Sequence, residues 1–495
     1  MEETTPENQQ KVNIQKSKAK AQRQSQRKKT GSQIRFVTGI FVITFMCMIG
    51  YTCYYATTHK QAMIDNSYNS RQEILIALNS RGTIYSSDGQ ILAKTVTDAD
   101  GKETREYPFE NMFAHVVGYA SKGRFGIEAQ ANFYLIQSNA KMYDKAASEM
   151  SGEKFPGDSV ITTLDVGLQE IAYKSLGTYK GAVIITEPST GRILAMASKP
   201  DFDPNEIEQI WDDLLEKNDN GILVNRATQG LYPPGSTFKI VTALEYIREN
   251  PDTYKNYKFN CNGNFKYEDE LINCYHSIPH GSEDFTKSFA KSCNSSFANI
   301  GVSLNLTEFD KTLDELLFNR ELPVSFAYNK SKTTLNEDSS AFDIMQTSIG
   351  QGMSQITPLH MNMITCAVAN KGVLMKPYLV ERVENYSGNT IKQFSPSAYG
   401  NLMTEEEAEI LTELMTQVIE NGTASKLKGA GYTAAGKTGS AEYNSNKEDS
   451  HAWFTGFAPV DEPKVCVTII IEGVGSGGDF AVPIAKRIFD ACLEQ

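Results

Sequence analysis

Ser236 and Lys239, three residues apart, are the residues of this chain whose types and spacing most clearly point to chemistry. They follow a Pro-Pro-Gly turn at 233–235 and open a segment with an apolar face. In a helix that starts there, the two Cβ atoms lie roughly 5–6 Å apart, so the amine reaches the hydroxyl. Serine needs a base, and lysine serves only if burial or a second cation lowers its pKa from about 10.4. The pair predicts a nucleophile, with a plain helix N-cap at Ser236 as the alternative.

The Ser-x-x-Lys pattern occurs at six other places, so the sequence context has to select among them. Two of these serines lie in a basic tail, and three lack the preceding turn and the following apolar helix. Ser288 is the strongest rival, and we interpret it as an ordinary helix residue. The six other serines are Ser17, Ser25, Ser138, Ser151, Ser288 and Ser425.

Two further short motifs follow in the chain. Ser292-Cys293-Asn294 precedes an apolar helical stretch, and Lys437-Thr438-Gly439 enters a predicted strand. Acyl transfer by a serine requires a base, a proton relay to the leaving amine, and groups that hold the substrate. We expect Lys239 to be the base, Ser292 to relay the proton, and Asn294 to hold the substrate amide. Lys437 adds a second cation that lowers the pKa of Lys239 by like-charge repulsion.

The same reaction needs an oxyanion hole and a grip on the substrate carboxylate. We expect the backbone N–H groups of Ser236 and Ser440 to form the hole. Gly439 allows the backbone to approach the substrate closely, and Thr438 lies beside it in the same strand. Thr438, Gly439 and Ser440 are therefore the predicted substrate-binding residues.

The N-terminus predicts a membrane anchor. Residues 36–56 form an apolar segment without a charged residue, and this segment is long enough for one helix across a bilayer. A buried core helix could have the same composition. Residues 1–35 carry nine Lys/Arg against three acidic residues, which predicts a cytoplasmic tail and an extracellular catalytic part. The apolar segment ends without small residues at a cleavage site, so we expect it to remain uncleaved.

The overall charge of −12 excludes nucleic acid as a partner, because the chain beyond the basic tail carries −18. The tail is expected to touch anionic lipid. Among eight cysteines there is no Cys-x-x-Cys, and no His-Glu-x-x-His occurs, so we expect neither a metal nor a cofactor. Cys261 and Cys274 are predicted to form a disulfide in the exported domain, with two separate thiols as the alternative.

Two parts are predicted beyond the anchor. Residues 57–155 combine a helix-forming stalk over 57–80 with a small module that begins with a hairpin at 81–93. Residues 156–495 are predicted to form one α/β domain, because apolar strands at both of its ends flank a mostly helical middle. These strands are expected at 181–198, 433–443, 452–459 and 464–472, with a closing helix at 481–493.

The three motifs, in this order, resemble those of the penicillin-binding proteins, and the resemblance covers most of the chain. It implies the transpeptidase fold, an antiparallel sheet flanked by helices, on a smaller extended pedestal of the class B type. Ser440 stands where the family usually has threonine, and Cys293 fills the variable middle of the second motif. Further segments that resemble the family are Arg81-Gly82, Gly126-Ile-Glu128, Thr163-Leu-Asp-x-x-Leu-Gln169, Glu187-Pro-Ser-Thr-Gly191, Gly350-Gln-Gly-x-x-Gln-Ile-Thr-Pro358 and Trp453-Phe-Thr-Gly-Phe-Ala-Pro459.

The resemblance implies that Ser236 attacks the D-Ala-D-Ala bond of peptidoglycan stem peptides, releases D-alanine and passes the acyl group to an amine. It also implies covalent inhibition by β-lactams. Class B relatives pair with SEDS-family glycosyltransferases, so we expect such a partner at the anchor and the 57–155 module. The cellular role, the acceptor amine and the oligomeric state are not predicted.

Four rival functions use the same motifs. A D,D-carboxypeptidase or a β-lactamase would pass the acyl group to water. Class A β-lactamases use a Glu-x-x-Leu-Asn loop, and none lies between Asn294 and Lys437, whereas the D,D-carboxypeptidase stays an open alternative. A β-lactam sensor would need a cytoplasmic signalling domain, for which 35 residues are too few. A bifunctional synthase would need a polymerase domain after the anchor, where only about 100 residues precede the next domain.

Overall fold

The computed structural model describes residues 6–58, 70–141, 143, 145, 154–216, 221–442 and 449–493. Residues 59–69 of the predicted stalk lie outside this part of the chain. The first compact unit, Met1–Ser70, contains the helix α1 (Pro6–Thr58). Within the described residues α1 is the helix that is long and apolar enough to cross a membrane, and its apolar side chains are exposed along the segment predicted as the anchor. An apolar surface all around a helix matches a lipid environment.

The second unit, Arg71–Gln495, contains the further helices and strands of the described residues, apart from Ser70, the first residue of α2. Its α-helices are α2 (Ser70–Leu78), α3 (Gly126–Gln130), α4 (Asn132–Ile136), α5 (Val166–Leu176), α6 (Ile207–Glu216), α7 (Lys239–Glu249), α8 (Phe285–Ala290), α9 (Asn294–Gly301), α10 (Leu306–Glu315), α11 (Ala341–Ser348), α12 (Pro358–Ala369), α13 (Glu405–Asn421) and α14 (Gly477–Leu493). Short 3₁₀ helices cover Glu110–Phe113, Gly235–Phe238, Tyr254–Asn256, Tyr275–Ser277 and Ser425–Leu427.

The strands are short in the first half of this unit and longer in the central sheet. They are β1 (Asn79–Ser80), β2 (Ile84–Tyr85), β3 (Ile91–Thr97), β4 (Glu103–Glu106), β5 (Phe155–Pro156), β6 (Ser159–Thr162), β7 (Gly181–Glu187), β8 (Arg192–Lys199), β9 (Lys258–Cys261), β10 (Asn264–Tyr267), β11 (Glu270–Asn273), β12 (Gly281–Asp284), β13 (Val373–Met375), β14 (Val380–Glu384), β15 (Thr390–Gln393), β16 (Ala398–Asn401), β17 (Ala435–Ala441), β18 (His451–Ala458) and β19 (Val465–Ile471).

The central sheet has five antiparallel strands in the order β17-β18-β19-β7-β8. The prediction of a sheet assembled from both ends of the domain is thereby confirmed. Helices cover both faces, because Thr455 bonds Thr365 of α12 whereas its neighbour Phe454 packs on Phe489 of α14. Successive strand residues point to opposite faces. The residues of β18 and β19, and those of β7 up to Thr186, are buried, which explains why these strands are near-continuous apolar runs.

A six-stranded sheet of order β15-β14-β6-β2-β3-β4 joins the 81–106 region to later parts of the chain. The predicted hairpin is present as the antiparallel pair β2 and β3, with Gly89 at positive φ in its turn. Beside it, the fully buried carboxylate of Glu128 accepts hydrogen bonds from Arg81 at 2.6 Å and Arg105 at 2.7 Å. This ion cluster ties α3 to the start of the small module.

Candidate active site

A tight turn presents Ser236 to a cleft. Gly235 has φ +53°, its N–H donates to the carbonyl of Gly350 at 2.8 Å, and a Cβ at this position would lie 3.1 Å from Ala441. Only glycine fits this backbone without strain. Ser236 itself lies in the 3₁₀ helix Gly235–Phe238 and makes no capping hydrogen bond there, so the N-cap alternative is not the one observed.

The predicted Ser236–Lys239 pair is brought together. The helix was expected to begin at the serine, whereas α7 begins at Lys239 and the preceding turn is 3₁₀. In a 3₁₀ turn, residues i and i+3 eclipse each other, which aligns the two side chains even more directly than an α-helix would. The Nζ atom of Lys239 lies 3.0 Å from the Oγ atom of Ser236. The side chain of Lys239 is completely buried.

The second motif lies directly over Lys239. Nζ of Lys239 contacts the carbonyl oxygen of Ser292 at 2.7 Å, the Ser292 hydroxyl at 3.2 Å and Oδ1 of Asn294 at 2.7 Å. Asn294 begins α9, and its amide donates to the carbonyl of Asn273 at 3.2 Å, which fixes the orientation of Oδ1 towards the lysine. Ser292 has φ +56°, a conformation that costs a non-glycine residue on the order of 1–3 kcal/mol and is typical of functional sites.

The third motif completes the cluster from the central sheet. Lys437, in the middle of β17, is fully buried and donates to the Ser292 hydroxyl at 2.9 Å and to the Thr438 carbonyl at 3.1 Å. The hydroxyl of Ser292 therefore lies between two lysine side chains, those of Lys437 and Lys239. All three predicted motifs converge on this one point.

The electrostatics of both lysines follow from their burial. Loss of water lowers the pKa of Lys239 to about 8, even though the neighbouring Cys293 and Cys274 act in the opposite direction. Burial, and next the charge of Lys239, lower the pKa of Lys437 well below 10.5. Of the two causes expected for the lowered pKa of Lys239, burial and a second cation, burial is the principal one, and tertiary packing decides it.

A cleft of about 390 Å³ opens over the nucleophile. The predicted substrate-binding residues Thr438, Gly439 and Ser440 line it, together with Ser236, Ser292 and Asn294. The hydroxyl of Ser440 accepts a hydrogen bond from the backbone N–H of Gly477 at 3.3 Å, at the start of α14. Because β17 is the first strand in the order of the central sheet, these residues lie at a sheet edge.

The rival Ser288 lies elsewhere. It is fully buried in α8, where its hydroxyl is bonded to Ser296 at 2.8 Å and to Glu283 at 3.4 Å. It is absent from the lining of the cleft, as expected for an ordinary helix residue.

Sequence reasoning missed two residues at the cleft. Thr423 bonds the hydroxyl of Thr438 at 2.5 Å, and Asn273 supplies the carbonyl that orients Asn294. Both line the cleft, and neither belongs to a motif that could have identified it.

The predicted disulfide between Cys261 and Cys274 is wrong. Both thiols are free, and their sulfur atoms are 3.6 Å apart, whereas a disulfide requires about 2.05 Å. The physical reason is that Cys274 is shared among several partners, since its sulfur also contacts Cys293 at 3.8 Å and the hydroxyl of Ser295 at 3.0 Å.

Comparison with known sequences gives two family matches and several relatives. The penicillin binding protein transpeptidase domain matches residues 181–490, and the penicillin binding protein A dimerisation domain matches residues 81–160. The peptidoglycan D,D-transpeptidase PbpA of Mycolicibacterium smegmatis is 30% identical over 442 residues, covering 84% of this chain and 89% of that protein. The peptidoglycan D,D-transpeptidase MrdA of Acinetobacter baumannii is 27% identical over 449 residues, with coverage of 79% and 66%.

Solved structures agree with these matches. Penicillin-binding protein A from M. tuberculosis, as its ceftriaxone acyl-enzyme complex, is similar with a TM-score of 0.77 and 27% identity, covering 84% of this chain and 99% of that one. The D,D-transpeptidase domain of a peptidoglycan glycosyltransferase from Eggerthella lenta is similar with a TM-score of 0.76 and 30% identity, again covering 84% and 99%.

Proposed function

We propose that Ser236 carries the acyl group in this chain, which belongs to the class B penicillin-binding proteins. The chain is a peptidoglycan D,D-transpeptidase that β-lactams inhibit covalently. The observation that carries this assignment is the set of contacts around Lys239. The Ser292 carbonyl and the Asn294 Oδ1, each 2.7 Å away, can only accept hydrogen bonds. They use both N–H bonds of a neutral amine. Its lone pair is then free to take the proton of Ser236.

Acylation follows from this arrangement. Lys239 takes the hydroxyl proton while Oγ of Ser236 bonds to the carbonyl carbon of the penultimate D-alanine. Backbone N–H groups of Ser236 and Ser440 hold the negative oxygen of the tetrahedral intermediate. When the peptide bond breaks, the leaving amine of D-alanine takes a proton from Ser292. That hydroxyl regains its proton from Lys239, 3.2 Å away, and the charge of Lys437 at 2.9 Å favours the transfer.

The second half of the reaction reverses these roles. The acceptor amine of another stem peptide attacks the acyl carbon, gives up a proton through Ser292 and Lys239, and releases Ser236. Thr438, Gly439 and Ser440 hold the donor peptide along β17, because an edge strand offers backbone groups to an extended peptide. Asn294 holds the peptide amide beside the nucleophile.

The assignment is tested by labelling the full-length protein with a fluorescent penicillin and mapping the adduct. Wild type should be labelled on Ser236, and Ser236→Ala should lose the label. Ser425→Ala is the matched control, because Ser425 has a lysine three residues on but is exposed and outside the cleft. It should label like wild type. An adduct on Ser288, or a labelled Ser236→Ala protein, contradicts the assignment.

We further propose that residues 1–35 lie in the cytoplasm, that 36–56 span the membrane, and that 156–495 act outside the cell as the transpeptidase domain. The excess of lysine and arginine before the apolar segment supports this orientation. A transpeptidase has to receive its glycan strand at the same membrane face. The 57–155 pedestal and the anchor are therefore proposed to contact a SEDS-family glycosyltransferase.

Exposed apolar side chains on α2 support this contact. Ile74 and Leu78 are 59% and 56% exposed and lie four residues apart, on one face of a helix close in sequence to the anchor. Replacing 36–56 by an unrelated apolar helix, combined with Ile74→Glu and Leu78→Glu, should abolish co-purification with the glycosyltransferase. Penicillin labelling should persist. The exposed Glu73→Gln is the control, and undiminished co-purification of the combined variant would refute the contact.

A further inference from the structure

Four side chains that the reaction does not use converge next to the active site. They are Cys261 at the end of β9, Cys274 after β11, His280 before β12, and Cys293 at the start of α9. One ligand atom from each lies within 4.8 Å of all the others. The three cysteines are fully buried and pack mainly on one another, with Phe259 as the neighbouring apolar side chain. Three thiols and an imidazole in one closed space form a set of metal ligands.

The distances agree with a tetrahedral ion. Zinc–sulfur bonds of 2.3 Å and zinc–nitrogen bonds of 2.0–2.1 Å place sulfurs roughly 3.8 Å apart, and sulfur roughly 3.5 Å from nitrogen. The observed sulfur–sulfur distances are 3.6 Å for Cys261–Cys274 and 3.8 Å for Cys274–Cys293. Sγ of Cys261 lies 3.4 Å from Nδ1 of His280. The four ligands thus need no large rearrangement around a common centre.

Hydrogen-bond donors surround the sulfurs, as they do in metal–thiolate sites. The backbone N–H of Gly263 donates to Cys261 at 3.4 Å, and the N–H of Ser296 donates to Cys293 at 3.4 Å. The hydroxyl of Ser295 lies 3.0 Å from the sulfur of Cys274. Sulfur ligands of this softness favour zinc over calcium or magnesium.

We propose that Cys261, Cys274, His280 and Cys293 bind one zinc ion in a closed tetrahedral site that positions Ser292 and Asn294. With four protein ligands the ion has no open coordination position, so it serves structure and not the acyl transfer itself. No metal was expected from the sequence, because the ligands are 13, 6 and 13 residues apart and match no familiar zinc motif. Folding of the β10–β11 hairpin brings the first two together.

The link to the active site is covalent and short. Cys293 lies between Ser292 and Asn294, both of which contact Lys239. Cys274 follows Asn273, whose carbonyl accepts from Asn294. An ion bound to Cys274 and Cys293 therefore holds both sides of that hydrogen bond, and it fixes Ser292 in its strained conformation at φ +56°. This consequence for acylation, unlike metal binding itself, rests on the proposed roles of Ser292 and Asn294.

The first test measures metal in the full-length protein purified in detergent. Wild type should contain one zinc ion per chain, and Co²⁺ exchanged into it should give the thiolate charge-transfer and intense visible bands of a tetrahedral ion. Cys261→Ser and His280→Ala should lose zinc. The gentler Ser295→Ala, which keeps all four ligands, should weaken zinc affinity about 10–100-fold. Cys492→Ser is the control and should retain zinc, because that cysteine lies in α14.

The second test follows the rate of penicillin acylation at Ser236 as zinc is removed by a chelator and then restored. Acylation should fall on the order of 10²-fold and recover with zinc, because small misplacements of catalytic groups have effects of that size. Zinc-free wild type, or zinc content unchanged in Cys261→Ser and His280→Ala, overturns the site. Unchanged acylation after complete removal overturns its positioning role. Failure to acylate Ser236 with zinc bound would count against the proposed function and leave the metal site intact.

Discussion

Lys239 and Lys437 both direct their Nζ atoms at the hydroxyl of Ser292, at 3.2 Å and 2.9 Å, although one begins a helix and the other lies in a sheet strand. The two lysines nevertheless have different surroundings. Lys239 also contacts Ser236, whereas Lys437 contacts Ser292 and the backbone of Thr438. This asymmetry separates a lysine that exchanges protons with the nucleophile from one that supplies charge.

Lys239→Arg should inactivate the protein while leaving it folded, because a guanidinium keeps the charge but does not release a proton at working pH. The rate constant of penicillin acylation should fall by about 10²–10⁴-fold, the usual contribution of a general base. Lys437→Arg should be milder, since charge is what that position provides. Equal and total loss in both variants would mean that the two roles are assigned wrongly.

The acylation rate should rise with pH and level off above about 8. Only the neutral amine of Lys239 accepts a proton, and burial lowers the pKa of that amine to about 8, so the reactive fraction grows as pH increases through this value. Stopped-flow acylation across this range should give a single inflection near 8 in wild type. A rate that is flat through this range, or that falls with increasing pH, would exclude Lys239 as the base.

Gly350→Ala should disrupt the nucleophile turn. A Cβ at Gly350 would lie 1.9 Å from the carbonyl oxygen of Gly235, so the backbone beside Ser236 has to move. We expect acylation to fall on the order of 10²-fold. Gly388→Ala is the matched control, because Gly388 has the same φ of +76° but no atom within 4 Å of the added methyl group. If both variants acylate alike, the close approach at Gly235 has no functional consequence.

Glu128→Gln should destabilise the protein by about 3–5 kcal/mol, because it leaves the largely buried side chains of Arg81 and Arg105 without their carboxylate. Burial by itself would raise the pKa of Glu128, yet Arg105 and Arg81 together hold it below its ordinary value. The stabilisation of the folded protein by these ion pairs is therefore present at neutral pH, and it is lost as pH falls through the lowered pKa of Glu128.

Denaturant unfolding of wild type and Glu128→Gln side by side measures this loss of stability. Glu106→Gln provides the control, since Glu106 pairs with Lys94 at 3.4 Å on the surface, where such a pair contributes about 0–1 kcal/mol. A loss in Glu128→Gln no larger than in Glu106→Gln would show that the buried cluster is dispensable.

Much of the fold could be predicted from local pattern. The hairpin of β2 and β3 and the strands of the central sheet follow from apolar runs bounded by turn residues. The bounds were less accurate: the strand predicted at 433–443 spans Ala435–Ala441, and the closing helix predicted from 481 begins at Gly477. Helix ends depend on packing and hydrogen bonds that the sequence pattern does not contain.

The candidate site was predictable as a set of motifs but not as a geometry. Ser236, Ser292 and Lys437 carry short motifs in a fixed order, whereas the complete burial of both lysines results from tertiary packing. The cysteine cluster shows the limit most plainly. Cys261 and Cys274 looked like a disulfide from spacing alone, because their third and fourth partners, His280 and Cys293, are contributed by later segments.

The central claim is that an acyl group carried by Ser236 is passed to an amine. The direct test incubates the full-length protein with polymerised, lipid-linked stem peptide and quantifies cross-linked dimers, shortened monomers and free D-alanine. We predict cross-linked dimers with one D-alanine released per cross-link, and loss of both products in Ser236→Ala. Release of D-alanine with shortened monomers and no dimers would contradict the account and identify water as the acceptor.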